Sequence, residues 1–593
     1  MIPWIPGLQF RVLGSFDKTF STKKIESRAY QLSVWNQTTK SWTTEWARHS
    51  SNGVSSVNQW QNEAMEYTIQ PSVEYENKFG AHHVKGMFLY EYSRTEAKSL
   101  SAGKEGYTIT DIMDITYGSS ILPALVAGGH STDRRSGYVA RFNYDYNEKY
   151  LAEVTVRIDG TPYLPAETRW GVFPGVSIGW RISEEPWLKG RASWLDNLKI
   201  RASAGRLGSD RSLGYTYSYL STMSLGSTPS VYLGTNPGYA LTPSAPVNPN
   251  LRWQTNDTYD LGFEGKLWKG LLGFELDLFY MYCQRKIETQ ANSYPPSMGG
   301  YFPSVINYGK HNNKGFELLI THENRIGEFN YNIKGNVSWA RNKILQISED
   351  PNLPAYSKQV GHSIGQYYGF LSQGLFQTQE EINSSPTYGS KVNTLPGDIK
   401  LVDINLDNQI TWAQDQTVIG RSSTPEMMFG LNLNAFWRGF DFNIFFQGAT
   451  LCNVPLCGCY TDKDGIYDDT FYTRPFAFDG NTPRYLVENA WTPENTNAKY
   501  PRLGIVNRSN GGKMSSFWVV DGSYLRLKSL QLGYSLPKRL LKKINVNNIR
   551  FYFSSGNLFT ISALPYLDPE MPDVNQGYYP QQRTFEFGIN INI

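Results

Sequence analysis

The residues with the clearest chemical potential lie in one polar run, Asp403-Ile-Asn405-Leu-Asp407-Asn-Gln409. Oxygen-bearing side chains at alternate positions are what a hard cation needs, and Asp403, Asn405 and Asp407 occupy positions 1, 3 and 5 of an EF-hand-like loop, with the Gln409 carbonyl at 7. The run departs from that pattern in three places. Asn408 stands where the loop wants glycine, Thr411 where it wants a ninth ligand, and Asp415 falls one residue past the bidentate acid. A weakly bound calcium is therefore one expectation for this loop, and a plain polar turn is the other.

The remaining reactive side chains are scattered. Cys452, Cys457 and Cys459 crowd one segment, but no histidine is near and C-x4-C-x-C matches no zinc spacing, so a loop disulfide or free thiols are expected in place of a metal site. Cys283 ends a strand-like run. His49, His82, His83, His130, His311, His322 and His362 include no HExxH pattern, and no GxSxG occurs. His82 and His83 open a strand beside a tight turn, which sends them to opposite faces. No catalytic group emerges, the chain is read as no enzyme, and no cofactor beyond that calcium is expected.

The elements that must carry these residues have a period of two. In Thr584 to Ile593, TFEFGININI, Phe585, Phe587, Ile589, Ile591 and Ile593 fall on one side and Glu586, Gly588, Asn590 and Asn592 on the other. Similar alternation recurs from Gly7 to Phe20 through Glu63 to Phe79, His82 to Glu96, Leu272 to Tyr280, Phe329 to Trp339 and Ile549 to Ile561, giving about 16 segments near the ~10 residues of a tilted spanning strand. Their connections alternate long and short: Ser21 to Asn62 then Gly80-Ala81, Leu207 to Trp253 then Leu267 to Gly270, Lys343 to Ser423 then Arg438-Gly439. An all-β, antiparallel, up-and-down transmembrane barrel with short periplasmic turns and long extracellular loops has this rhythm. In such a wall Arg141, Asp145, Glu153, Arg157 and Asp159 face a lumen, where they line a solute path or contact a plug. Two turns run long for the periplasmic side, Ser183 to Asp196 and Pro537 to Val546, the second with the basic residues Lys538, Arg539, Lys542 and Lys543, read as solvated.

Composition agrees. The chain has 593 residues with 39 Tyr, 30 Phe and 16 Trp, yet its mean hydropathy is −0.44; interfacial aromatics with a polar lumen and polar loops account for both. No apolar run is long enough for a transmembrane helix. A net charge of +3 gives no argument for nucleic acid. Met1-Ile-Pro-Trp-Ile-Pro lacks the basic and apolar regions of a secretory signal, so either the chain is a fragment or mature piece of a longer protein or the barrel reading fails.

Five stretches resemble the SusC/RagA family of TonB-dependent outer-membrane importers of Bacteroidetes: RWGVFPGVSIGWRISEE (Arg169 to Glu185), WLDNLKIRASAGRLGSD (Trp194 to Asp210), NPNLRWQTNDTYDLGFE (Asn248 to Glu264), WTPENTNAKYPR (Trp491 to Arg502) and GSYLRLKSLQLGYSLP (Gly522 to Pro537). The ending YPQQRTFEFGININI (Tyr579 to Ile593) is similar too, as is the loop Pro396 to Gly420, where family members often carry an EF-hand-like acidic run. The resemblance implies a barrel of roughly 22 strands, of which residues 1–593 supply the carboxy-terminal part, about 16, with the signal peptide, amino-terminal extension and plug domain absent. It further implies outer-membrane import of glycans or peptides, with a SusD-like surface lipoprotein as lid and TonB coupling only through the missing amino-terminal part. Without a plug the chain is expected to be inactive in coupled import. Two other readings stand beside it: a plugless diffusion pore, since porins close at 16 to 18 strands, and a secreted glycan-binding β protein whose Tyr215, Tyr217, Tyr219, Tyr367 and Tyr368 stack on sugars.

Overall fold

The computed structural model describes residues 5–592 apart from 37–38, 47–52, 214–216, 226–230, 235, 244–245, 290–296, 298–304, 390, 392–393, 457–483, 504–513, 542–545, 565–567 and 571–580. Cys457, Cys459, Tyr215, His49, Lys542, Lys543 and Ile593 lie outside the described residues.

Sixteen long strands make one sheet. They are β1 (Leu8–Ser27), β2 (Ser56–Phe79), β3 (His82–Glu105), β4 (Ala127–Tyr146), β5 (Tyr150–Gly160), β6 (Trp170–Arg181), β7 (Leu195–Ser209), β8 (Gln254–Leu267), β9 (Leu272–Glu288), β10 (Ile306–Ile326), β11 (Phe329–Gln346), β12 (Met427–Trp437), β13 (Phe440–Thr450), β14 (Tyr524–Ser535), β15 (Asn548–Ser562) and β16 (Thr584–Asn592). Each pairs antiparallel with the next in chain order. A short strand, Ser120–Ile121, adds to the end of β3. Among the described residues no ladder joins β16 to β1. The sheet thus has two open edges, and β1 is exposed along nearly its whole length.

Pleating explains the two faces. On one, Phe142, Val154 and Val176 lie opposite one another on successive strands. Farther along the sheet Leu261, Leu278, Phe316 and Trp339 form a similar row. The other face carries Asn143, Glu153, Ser177, Ser203 and Asp260 in register. The apolar row is open to the exterior, with Phe16, Ile178, Ile320 and Phe587 all exposed. The buried hydrophobic clusters lie mainly among the connections. An outward apolar surface with an inward polar one is what hydrocarbon outside and water inside require.

At the short-turn end aromatic rings meet across strands: Tyr146 with Tyr150 at 6.4 Å, Tyr150 with Trp180 at 6.5 Å, His322 with Tyr331 at 5.4 Å and Phe440 with Tyr534 at 4.5 Å. This is an interfacial girdle. The turns beside it bend tightly because their central residues adopt positive φ, as at Asn147 (53°) and Glu148 (55°), or Arg438 (49°) and Gly439 (88°). Both β1 and β16 have their free ends on this side.

The strands run farther toward the long loops than alternation alone suggests. β1 continues to Ser27 and β2 begins at Ser56, whereas the alternation ends at Phe20 and resumes at Glu63. Beyond the hydrocarbon both faces are wet, so the residues lose their contrast while the ladder persists.

Candidate functional site: the inner wall and the loop layer above it

The inner wall holds ion pairs in place of a core. Arg201 on β7 reaches carboxylates on β8 and β9, with Nε 3.0 Å from Glu264, Nη1 3.1 Å from Asp260 and Nη2 2.5 Å from Asp277. The lumen residues expected from the sequence fall into three separate groups on the same face. Arg157 Nε sits 2.8 and 2.7 Å from the two Asp159 oxygens, and its Nη2 is 2.9 Å from Glu91 on β3. Glu153 accepts from Asn143 at 2.5 Å and lies 3.8 Å from Arg141. Asp145 meets His83 Nδ1 at 2.7 Å, and the other ring nitrogen is 3.1 Å from Glu76. His82 takes the opposite face, against the Tyr144 hydroxyl at 2.9 Å. Pairs this open to water stabilise little, about 0–1 kcal/mol each. Their consequence is a densely hydrogen-bonding wall that suits a polar solute or a docked polar domain.

The long connections fold into a layer of their own. Residues after β11, β13 and β15 bury Phe370, Ile399, Leu401, Ile410, Val454, Leu456, Tyr500, Trp518 and Leu564 together. Short ladders hold the segments, 367–369 with 417–420, 372–375 with 399–401 and 453–455 with 519–521. Gly397 is required at the crowded centre: its φ is 90°, and a Cβ there would meet the Trp491 ring at 2.5 Å. A short helix, Gln379–Ser384, is capped by Thr378, whose hydroxyl accepts from Glu381 N at 3.2 Å. Glu381 in turn accepts from Gln377 N at 2.8 Å and from Lys400 at 2.9 Å, a reciprocal cap that holds its carboxyl below the usual value. A second cluster joins Tyr163, Leu164, Leu213 and Leu251 of the loops to Phe173 and Trp253.

One buried cation ties this layer to the wall. Arg526 is 3 % exposed. Its Nε donates to Thr560 at 2.8 Å, Nη1 to Gln581 at 2.7 Å and to Glu570, and Nη2 to Asp568 at 2.7 Å. Lys528 donates to Glu570 at 2.8 Å as well. Asp568, Glu570 and Gln581 belong to the connection between β15 and β16, so that connection is pinned against the inner wall. The arrangement depends on a bulge: the register slips between Leu527 and Ser529, which keeps Leu527 outward opposite Phe446 while Arg526 turns inward. Strict alternation hides this site, because its frame breaks at Lys528 and its partners lie tens of residues away.

The polar run 403–415 is a self-contained turn. Asp403 accepts from Leu406 N and Asn408 N, both at 2.7 Å; Asn405 Oδ1 accepts from Asp407 N at 3.2 Å; Asp407 accepts from Gln409 N at 2.8 Å and Asn405 Nδ2 at 2.9 Å. Every side-chain oxygen of the three expected ligands is thus engaged within the turn. Asp415, beyond the expected register, is fully buried and accepts from Ile404 N at 2.9 Å and Thr411 N at 2.8 Å. Among the described residues no three His, Cys, Asp or Glu side chains converge to hold a metal. These residues, together with Gln409, make a turn closed on its own amides.

Other singled-out side chains have structural neighbours. Tyr219 donates to Pro162 O at 3.1 Å, and Tyr368 donates to Lys358 O at 3.1 Å, its phenol pushed up to about 12 by burial and by Glu349. Tyr217 keeps its ring exposed, and Tyr367 begins one of the short loop ladders. Cys283 and Cys452 are buried free thiols.

The family model of the TonB dependent receptor-like β-barrel matches residues 7–549. A TonB-dependent receptor of Formosa agariphila is 28% identical over 560 residues, 87% of this chain and 51% of the relative. TonB-dependent receptor SusC of Bacteroides thetaiotaomicron is 24% identical over 476 residues, 77% of this chain and 43% of the relative. Among solved structures, the RagAB peptide transporter matches with a TM-score of 0.73 at 19% identity, over 99% of this chain and 60% of that one. The chain spans about half the length of the curated relatives it matches.

Proposed function

This chain belongs to the TonB-dependent receptor β-barrel family of the Gram-negative outer membrane, and we propose that its 593 residues form the carboxy-terminal part of a nutrient importer for glycans or peptides. The observation that carries this reading is the two-faced wall roofed by a packed loop layer: apolar side chains point out, ion pairs such as Arg201 with Asp260, Glu264 and Asp277 point in, and the long connections build a folded vestibule above them. A polar solute descending through it meets hydrogen-bonding groups at each level.

Three finer statements belong to the proposal. The loop layer receives a SusD-like surface lipoprotein, which closes the vestibule. Further strands complete the wall between the open edges of β16 and β1. Energy from TonB enters through a plug-bearing segment that these residues do not supply. The relatives' greater length and the two unpaired edges support this. A diffusion pore of these strands alone would need a β16–β1 ladder, which the described residues do not form.

Uptake decides. The chain is expressed with its lipoprotein partner, with and without an upstream plug-bearing segment, and protonophore-sensitive accumulation of oligosaccharides and oligopeptides is followed. Uptake is expected only in the completed form. Protonophore-sensitive uptake by the 593 residues alone would refute the reading.

A further inference from the structure

The outer face carries a cationic patch that the transport reading leaves unused. Lys314 on β10 lies directly opposite Arg341 on β11, and Lys343 stands one outward position beyond Arg341, opposite Asn312. All three cations are exposed. Two positive side chains facing each other across a ladder repel. Among the described residues the one carboxylate paired with them is Glu426, 2.6 Å from Arg341, and it is shared with Arg421 at 3.0 Å. Among the described residues Lys314 and Lys343 have no ion pair. The patch therefore holds an excess of positive charge that no group among the described residues neutralises.

Its height and floor say what would neutralise it. Outward residues of β11 run from Tyr331, in the short-turn girdle, through Ile333, Val337 and Trp339 to Arg341. At ~3.3 Å per residue and a tilt of ~40° the step from Tyr331 to Arg341 rises roughly 25 Å, the height of the apolar band of such a barrel. The cations thus stand where the hydrocarbon ends on the long-loop side. Directly beneath them lie apolar and aromatic surfaces: Phe316 and Trp339 stacked at 6.1 Å, Tyr280 opposite Lys314, and Leu278 opposite Phe316. Arg341 itself lies over the Trp339 ring at 5.8 Å, and Asn312 donates to the Tyr280 hydroxyl at 3.4 Å. A polar anion above, bonded to chains below, complements this surface.

We propose that Lys314, Arg341 and Lys343 bind the phosphate of a lipid headgroup in the outer leaflet, with the acyl chains lying along Phe316, Leu278 and Trp339. Lysine ammoniums and a guanidinium are the donors phosphate takes, and at the membrane surface each basic residue attracts anionic lipid. The site depends on the membrane location and not on which solute the protein imports.

The probe is dioleoylphosphatidic acid, added to the full chain purified in neutral detergent and counted by native mass spectrometry; dioleoylglycerol and inorganic phosphate are the comparison arms. The chain should retain phosphatidic acid, bind dioleoylglycerol at least tenfold more weakly, and hold inorganic phosphate only at far higher concentration. Lys314→Gln with Lys343→Gln should weaken phosphatidic acid at least tenfold. Lys314→Arg with Lys343→Arg should keep it, and all variants should keep the heat-dependent gel shift of an assembled barrel. Equal retention of phosphatidic acid and dioleoylglycerol, equal binding by the Gln pair, or tight binding of inorganic phosphate alone would each overturn the site. If the Gln pair fails to assemble, Lys314→Gln alone is read the same way.

Discussion

Replacing Arg526 with leucine should release the connection between β15 and β16 from the wall. The guanidinium is nearly excluded from solvent, and its principal partners are too, with side-chain exposures of 4%, 10% and 15% for Arg526, Asp568 and Glu570. Removing one partner of a buried ionic group typically costs about 3–5 kcal/mol, because the remaining charge is left without compensation. Here Lys528 stays 2.8 Å from Glu570, so that carboxylate keeps a counter-ion while Asp568 loses its own, and the lower end, about 3 kcal/mol, is expected. At about 1.4 kcal/mol per tenfold that is roughly a hundredfold shift in local opening. Hydrogen exchange reads it in the peptide holding Asp568 to Glu570, where Glu570 N donates to Asp568 at 3.0 Å. Arg526→Lys should fall between, since an ammonium cannot supply the guanidinium's fork of donors to Thr560, Gln581 and the two acids together. Adding Asp568→Asn to Arg526→Leu should restore part of the protection. The pinning account is refuted if exchange across Asp568 to Glu570 changes by less than threefold in Arg526→Leu while the barrel remains folded.

Further outcomes follow from the same geometry. Ile320→Arg places a charge near the mid-height of the lipid-facing side, opposite Gly335, and should cost about 2–4 kcal/mol of barrel stability, read as a lower urea midpoint in detergent; Glu275→Gln on the opposite face should move it far less. Thr378→Ala should loosen the Gln379–Ser384 helix by about 1 kcal/mol, read by exchange of its amides. Because Glu381 titrates below its ordinary value, its contribution to that helix is present above about pH 4.3 and is lost as the pH falls through the lowered value of the folded state; exchange should accelerate there only on the acid side. Asp415→Ala leaves Ile404 N and Thr411 N without their acceptor and should cost about 1–3 kcal/mol, whereas adding calcium or a chelator should leave the melting midpoint unmoved; a calcium-dependent rise would restore the cation reading of Asp403, Asn405, Asp407 and Gln409.

The wall was legible because its physics is local. Alternation in stretches such as Leu272 to Tyr280 reports two solvents on two faces of one ribbon, and the long and short connections report two ends of a meander. His82 and His83 could be sent to opposite faces from their adjacency alone. The loop layer was illegible for the converse reason. Phe370, Trp518 and Leu564 belong to three connections far apart in the chain, and no period marks residues whose burial is decided by folding between loops. Arg526 stayed hidden behind a bulge that reverses the apparent face of its strand. At Asp403 to Gln409 the residue types point to a cation or a polar turn, and spacing does not reveal that backbone amides also reach those oxygens.

The central claim is that one sheet separates hydrocarbon from water, and β10 tests it at successive positions. Spin labels placed singly at Phe316, Glu317, Leu318, Leu319, Ile320 and Thr321 of the membrane-inserted chain are scored by collision with oxygen, which concentrates in lipid, and with a water-soluble nickel chelate. Oxygen should dominate at Phe316, Leu318 and Ile320 and nickel at Glu317, Leu319 and Thr321, with Leu319 the sharpest case because its side chain is apolar yet faces inward. Six positions without a period of two, or Leu319 grouping with its apolar neighbours, would contradict the wall.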